Sequence, residues 1–277
     1  MAFALTLAFV IWVFWANKAV EDNTYRITGE QIPTGFDSFR IAQISDLHND
    51  EFCTENRRLL TALEKSNPDI IVITGDMIDS RSTDVQVALD FAEKAVNIAP
   101  CYYVTGNHEY RVPKEYAELK AGLEALGAEV LENRQLELER NGSRICLMGM
   151  NDPSLQTWSQ GMDERLAMND ALTELIEDCS DVYTILLSHR PEMFDIYAEH
   201  EIDLVLTGHA HGGQARLPFV GGIVAPGQGF FPQYDSGLYV IAKTHMMVSR
   251  GIGNSLCPLR FNNRPEIVLV ELCREIG

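Results

Sequence analysis

Asp69-Ile70-Ile71-Val72-Ile73-Thr74-Gly75-Asp76-Met77-Ile78-Asp79 is the stretch from which the chain is best read. Its first half is dominated by β-branched residues and stopped by a glycine, the pattern of a buried strand running into a turn. A carboxylate introduced there by Gly75 projects into a crevice and not into a core. Gly-Asp-x-x-Asp alone carries little weight, because both residue types crowd turns. Its weight comes from company.

Four other stretches place Asp, His or Asn where an apolar run ends. Arg40–Ile44 leads into Asp46-x-His48, and Cys101–Val104 leads into Gly106-Asn107-His108-Glu109. Further on, Val182–Leu187 ends at His189, and Ile202–Leu206 ends in Gly208-His209-Ala210-His211. Between the runs lie helical patterns at Thr54–Ser66 (Leu59, Leu60 and Leu63 on one face), Asp84–Val96, Pro113–Leu126 and 163–178. Strand and helix alternating in this way predict βαβ units and a largely parallel sheet, whose ligands sit at the carboxyl ends of the strands. From Glu129 onward short strands appear, with a hairpin turn at Asn141-Gly142. Residues 39–277 read as one catalytic domain of two facing α/β halves, and 21–38 as a connector with an edge strand near Tyr25–Thr28.

On an extended strand end, residues i and i+2 point the same way, so Asp46 with His48, or His209 with His211, can reach one ion. Five of the seven histidines stand at predicted strand ends; His200 and His245 receive no role. Two divalent ions bring about four positive charges, of which Asp46 and Asp76 cancel about two. The remainder attracts a phosphate and lowers the pKa of a bridging water toward ~7, supplying hydroxide for in-line attack. Carboxylate, imidazole and amide donors suit Mn, Fe or Zn.

Asp-x-His, Gly-Asp-x-x-Asp, Gly-Asn-His-Glu, a lone His and Gly-His-x-His, in this order from Phe39 to Cys273, resemble the calcineurin-like metallophosphoesterases. Gly208-His-Ala-His-Gly-Gly-Gln214, Ser249–Gly253 and Arg264–Ile267 are similar to the family's membrane-associated bacterial branch, which includes phosphodiesterases and UDP-2,3-diacylglucosamine pyrophosphatases. The resemblance implies a four-layer α/β/β/α sandwich of two facing mixed sheets. It implies one metal on Asp46, His48, Asp76 and His211, and a second on Asp76, Asn107, His189 and His209. His108 is then the catalytic histidine that protonates the leaving oxygen, and Asp79 orients it. The expected activity is hydrolysis of a phosphodiester, phosphomonoester or pyrophosphate; the alternative is a non-catalytic scaffold on the same fold. Protein phosphatases of the superfamily carry Arg directly after the second Asp, whereas here Ser80 precedes Arg81. That weakens a phosphoprotein substrate and leaves Arg190 and Arg250 as candidate phosphate clamps.

The net charge of −18 and pI near 4.7 argue against nucleic-acid partners, whose phosphates need a basic footprint. Ala2–Ala16 is apolar except for Thr6, spans ~22 Å as a helix, and lacks the basic start of a signal peptide. Residues 1–20 are therefore expected to anchor the chain in the cell membrane, the run extending through Ala19-Val20 to cross it. Leu217–Val220 and Phe230–Tyr234 can line an apolar channel for lipid tails or pack as ordinary hairpins. The six cysteines form no C-x-x-C pair and read as separate buried thiols.

Overall fold

The computed structural model describes residues 1–154, 161–177, 179, 181–254 and 257–275. Its chain order begins with helix α1 (Ala2–Ala16), then β1 (Glu21–Gly29), β2 (Phe39–Ile44), α2 (Arg57–Ser66), β3 (Ile70–Thr74), α3 (Val85–Ala95), β4 (Cys101–Val104), α4 (Pro113–Ala125) and β5 (Glu129–Val130). The second half runs β6 (Arg134–Arg140), β7 (Ser143–Gly149), α5 (Glu164–Ile176), β8 (Tyr183–Leu187), α6 (Phe194–Glu199) and β9 (Leu204–Thr207). Four two-residue strands follow: β10 (Arg216–Leu217), β11 (Gly221–Gly222), β12 (Val224–Ala225) and β13 (Gly229–Phe230). The chain closes with β14 (Gly237–Ile241), β15 (Thr244–Val248) and β16 (Glu266–Arg274). The last residue of the helix predicted over 163–178, Asp178, lies outside the described residues.

Two six-stranded sheets face each other, ordered β1-β16-β2-β3-β4-β5 and β14-β15-β9-β8-β7-β6. Both are mixed. β2, β3, β4 and β5 run parallel while β16 is antiparallel to β2, and β7, β8, β9 and β15 run parallel between antiparallel edges. Burial explains the layering. Ile41, Val72 and Val104 of the first sheet share one buried cluster with Leu147, Ile185, Leu187 and Leu206 of the second, so the sheets pack on each other. The alternate residues Ile71, Ile73 and Tyr103 turn outward onto Leu59, Phe91 and Leu119 of α2, α3 and α4. Leu186 and Val205 likewise pack on Leu172 of α5 and Phe194 of α6. With period-two side chains, a strand covered on both faces reads as an unbroken apolar run, as Ile70–Thr74 does. The result is the α/β/β/α sandwich.

Three differences from the sequence reading have physical causes. The edge strand read near Tyr25–Thr28 is longer than that: β1 runs nine residues, Glu21–Gly29, and pairs in parallel with β16. A partner more than two hundred residues away leaves no local signal. Cys146 and Cys179 form a disulfide with Cα atoms 5.9 Å apart, so the reading of separate thiols is corrected for this pair. It links β7 to the chain just beyond α5, while Cys53, Cys101, Cys257 and Cys273 are free.

The third correction concerns the spanning segment. No helix among the described residues is long and apolar enough to cross a membrane. α1 stops at Ala16 because Asn17 turns inward, its side-chain amide donating to the carbonyls of Val13 (2.8 Å) and Arg260 (2.9 Å) while its Oδ1 accepts from Arg260 N–H (2.7 Å). The Ala19 carbonyl then accepts from Arg264, and β1 begins at Glu21, so the run cannot extend through Val20 as helix.

Candidate metal centre

The loops that follow β2, β3, β4, β8 and β9 meet where the two sheets come together at their carboxyl ends. Asp46, His48, Asp76, Asn107, His189, His209 and His211 are all buried there. Extended-strand geometry is not what aims them. Asp46, His48, Asp76, His209 and His211 have φ between 48° and 65°, the left-handed region that costs ordinary side chains strain. Five such residues in one place mark backbone bent to make side chains converge. Gly75 shares the bend at φ 88°, and a Cβ on it would come within 2.7 Å of His189 Nδ1. At Gly208 an added Cβ would meet Ser45 Oγ at 1.8 Å and Asp46 Oδ2 at 2.6 Å, so only glycine lets β9 approach β2.

Among the described residues the donor atoms fall into three groups: Asp46 with His48 and His211, Asp76 with His189 and His209, and His48 with Asp79 and His108. Asp76 stands between the first two: its Oδ2 lies 3.3 Å from His189 Nε2 and 3.6 Å from His48 Nε2. Its other oxygen, Oδ1, accepts the backbone N–H of His108 at 2.8 Å. Asp46 Oδ1 is 3.4 Å from His211 Nε2. Asn107 lines the same cavity, and its Oδ1 is buried without a hydrogen-bond partner.

These residues fit a pair of cations. A buried amide oxygen left without a donor costs free energy unless something positive faces it. His48 Nε2 stands 3.2 Å from His211 Nε2, and His189 Nε2 stands 3.1 Å from His209 Nδ1. Ring nitrogens facing each other at that range need an ion or a proton between them. His189 Nδ1 is bound to the Thr74 carbonyl at 2.7 Å, which leaves Nε2 as the ring's coordinating atom. The field favours positive charge as well. Burial alone would lower His189, but Asp76 and Asp46 outweigh it and raise the imidazole to about 10. Burial pushes His48 down to about 3 and holds His209 and His211 well below the usual imidazole range, in their neutral, ligating form.

His108 stands beside this cluster, its ring centroid 4.6 Å from that of His48. Its Nδ1 accepts the backbone N–H of Ser80 at 3.0 Å, which places the proton of the neutral ring on Nε2. Burial lowers its pKa, against the opposing pull of Asp76 and Asp79. Asp79 does not hydrogen-bond the ring. Its nearest oxygen is 3.7 Å from Nδ1, and its carboxylate is engaged by the backbone N–H and guanidinium of Arg81 at 2.6–3.0 Å. Ser80, the residue that interrupts the protein-phosphatase pattern, hydrogen-bonds the His108 ring through its backbone N–H and lies 3.1 Å from it by its hydroxyl.

Asp76, Asn107, His108, His209 and His211 open onto a cavity of about 240 Å³ whose rim carries Arg81, Arg111 and Arg190. Of the two clamps suggested by sequence, Arg190 reaches the cavity but is held bidentately by Asp152 and also by Ser154. Arg250 is bound to Glu21 and Glu266, away from the cavity lining. Arg111 was missed. It stands in a single 3₁₀ turn after His108, where nothing in the sequence sets it apart from any surface arginine. Glu109 was quoted in the motif without a role; its buried carboxylate accepts the N–H groups of Asp76 (3.1 Å), Met77 (2.8 Å) and Gly106 (2.8 Å), fastening the Asp76 loop to the loop after β4. A larger open groove near Thr54, Lys94 and Ile98 lies between α2 and α3 and shares no residue with the site.

Comparison with known proteins identifies the family. Residues 39–213 match the calcineurin-like phosphoesterase family. The chain is 32% identical to the uncharacterized metallophosphoesterase YkuE of Bacillus subtilis, over 91% of this chain and 85% of that protein. It is 29% identical to phosphodiesterase YaeI of Escherichia coli, over 84% and 82% of the two chains. A zebrafish transmembrane protein with metallophosphoesterase domain is 30% identical over 88% of this chain, which spans 55% of it. Among solved structures, the sulfate thiohydrolase SoxB of Thermus thermophilus superposes with a TM-score of 0.52 at 14% identity, covering 87% of this chain and 57% of that one. The likeness extends to fold alone. The chain belongs to the calcineurin-like phosphoesterase family and is a metal-dependent hydrolase.

Proposed function

We propose that the chain hydrolyses a phosphodiester, phosphomonoester or pyrophosphate at a pair of divalent ions of the Mn, Fe or Zn kind, on a substrate held at a membrane surface. The observation that carries the reading is Asp76 Oδ2, placed 3.3 Å and 3.6 Å from histidines of two separate donor groups. Asp46, His48 and His211 would hold one ion with Asp76; Asn107, His189 and His209 would hold the other. When bound, such a pair supplies Lewis acidity and a water that is nucleophilic at neutral pH. The chain's own residues do the rest. Asp76 presents Oδ2 because His108 N–H occupies Oδ1. His108 directs Nε2–H at the leaving oxygen, with Asp79 close enough to favour the charged ring as the proton moves. Arg111, on the cavity rim and with no ion-pair partner among the described residues, clamps the phosphate.

Support for the membrane comes from α1, whose apolar residues are exposed along its length, and from relatives named as transmembrane proteins. The cavity accommodates a phosphate and its immediate substituent but not a lipid tail, since pockets for whole drug-sized ligands run from ~300 Å³ upward. A panel of p-nitrophenyl phosphate, bis-p-nitrophenyl phosphate, a nucleotide pyrophosphate and UDP-diacylglucosamine, each with Mn²⁺, Zn²⁺ and Mg²⁺, tests the reading. Chelator-sensitive hydrolysis of at least one class is expected; a metal-loaded chain inert toward all of them sinks it.

A further inference from the structure

Between Arg216 and Asp235 there is no charged residue, in a chain whose residues are 22% charged. The segment does not form a channel for lipid tails. It folds as two small hairpins, β10–β11 and β12–β13, whose largest side chains point to solvent: Phe219 is 109% exposed, Phe230 77% and Phe231 65%. Phe219 and Phe231 adopt φ of 66° and 57°, positions where glycine or asparagine would sit without strain. Neither folding nor solubility accounts for phenylalanine there.

The hairpins are continuous with α1. Phe9 and Trp12 pack on Phe261, with ring centroids 6.1 and 5.9 Å apart. The Phe261 carbonyl accepts from Arg216 of β10 at 3.0 Å. Ile223 N–H donates to Ala215 at 2.9 Å, and Phe231 N–H to Ile223 at 2.8 Å, which brings in the second hairpin. That hairpin's turn, Pro226-Gly227, lines the metal cavity.

Two arguments select lipid as the occupant. A protein groove covers one face of a helix, whereas α1 is apolar on every face and, among the described residues, meets the body through Phe9, Trp12, Trp15 under Arg264, and its end at Ala16-Asn17; lipid solvates all remaining sides at once. Phe9 stands eight residues before Asn17, ~12 Å along the axis, so a bilayer that takes up the apolar length of α1 reaches Phe261 and the β-strands bonded to it. Leu217–Tyr234 carries no Lys or Arg, so its contact is not electrostatic attraction to anionic headgroups.

We propose that the uncharged double hairpin, with Phe261, is a second membrane-contact surface that inserts Phe219, Phe230 and Phe231 into the lipid interface beside α1 and sets the mouth of the metal cavity at headgroup level. This rests on the membrane reading given above and goes further than it. The small cavity then takes only the phosphate end of a lipid-borne substrate, whose tails stay in the bilayer.

The test uses the full chain bound to phosphatidylcholine vesicles containing a diazirine-bearing acyl chain, photolysed and mapped by mass spectrometry. Label is expected both in Ala2–Ala16 and in Leu217–Tyr234, with α2 and α3 at background and no loss in high salt. Label confined to α1 overturns the hairpin surface while leaving the membrane reading intact. Label in neither removes both. Hairpin label that vanishes in high salt overturns the apolar mode of contact.

Discussion

Asp76 and His108 are tied by a 2.8 Å hydrogen bond from the His108 backbone N–H to Asp76 Oδ1. One atom of the carboxylate thereby places the loop that carries His108, and the other faces His48 and His189. On the proposed reading, ion binding and proton donation share this support but use different atoms, so mutation should separate them.

Removing the His108 ring leaves that backbone bond in place. His108→Ala should keep its metal content while turnover of a poor alkoxide leaving group falls ~10²–10⁴-fold, the usual contribution of general acid catalysis. An activated p-nitrophenyl ester should lose less, because its leaving group needs less proton assistance. A near-parental rate on the poor leaving group would contradict the assignment.

Arg111 should act on binding. Arg111→Ala is expected to raise KM about tenfold with a smaller change in kcat, and Arg111→Lys to restore part of the loss, because lysine keeps the charge but not the fork. Arg81→Ala should cost less, since Asp79 already holds that guanidinium. Steady-state kinetics on bis-p-nitrophenyl phosphate separates the two arginines.

Glu109 holds four backbone N–H groups of the site loops, those of Asp76, Met77, Ile78 and Gly106, in a fully buried position. Glu109→Ala leaves those donors without an acceptor and should destabilise the metal-free protein by about 3 kcal/mol. Glu109→Gln, retaining one oxygen, should fall between. Urea denaturation with chelator present measures this, and a loss well under 1 kcal/mol would remove the bracing role.

The Asp152–Arg190 pair predicts an acid limit to stability. Burial alone would raise Asp152, but the Arg190 guanidinium outweighs it and holds the carboxyl below its ordinary range. A folded pKa below the unfolded one means that the stabilisation is complete above about pH 4 and is lost as pH falls through the folded value. Asp152→Asn should therefore destabilise at pH 7 by about 3 kcal/mol, because the buried Arg190 loses its bidentate partner and keeps only the longer ion pairs to Glu192 and Glu164. The gap between variant and parent melting temperatures should narrow below pH 4. A gap independent of pH would mean that the pair acts by packing alone.

Much of this was legible in the chain because strands covered on both faces leave unbroken apolar runs, as at Ile70–Thr74 and Leu204–Thr207. Polar residues placed where such runs stop are conspicuous, and the structure brings Asp46, His48, Asp76, Asn107, His189, His209 and His211 to one crevice. The means of convergence was not legible. Period-two reasoning put Asp46 and His48 on an extended strand end, whereas both lie beyond β2 in left-handed backbone. Pairings between distant segments, β1 with β16 and Cys146 with Cys179, leave no local pattern. Nothing in the sequence marks Arg111 as a cavity residue or Ser80 as a partner of the His108 ring, because both follow from three-dimensional position alone.

Metal content of the full chain, set beside hydrolysis of bis-p-nitrophenyl phosphate, tests the two-ion site most directly. Two ions per chain are expected, with chelator-sensitive activity, and Asp76→Asn should lose both metal and turnover because it removes the ligand common to both groups. A folded, metal-free and inactive parent, or an Asp76→Asn variant that keeps two ions, would contradict it.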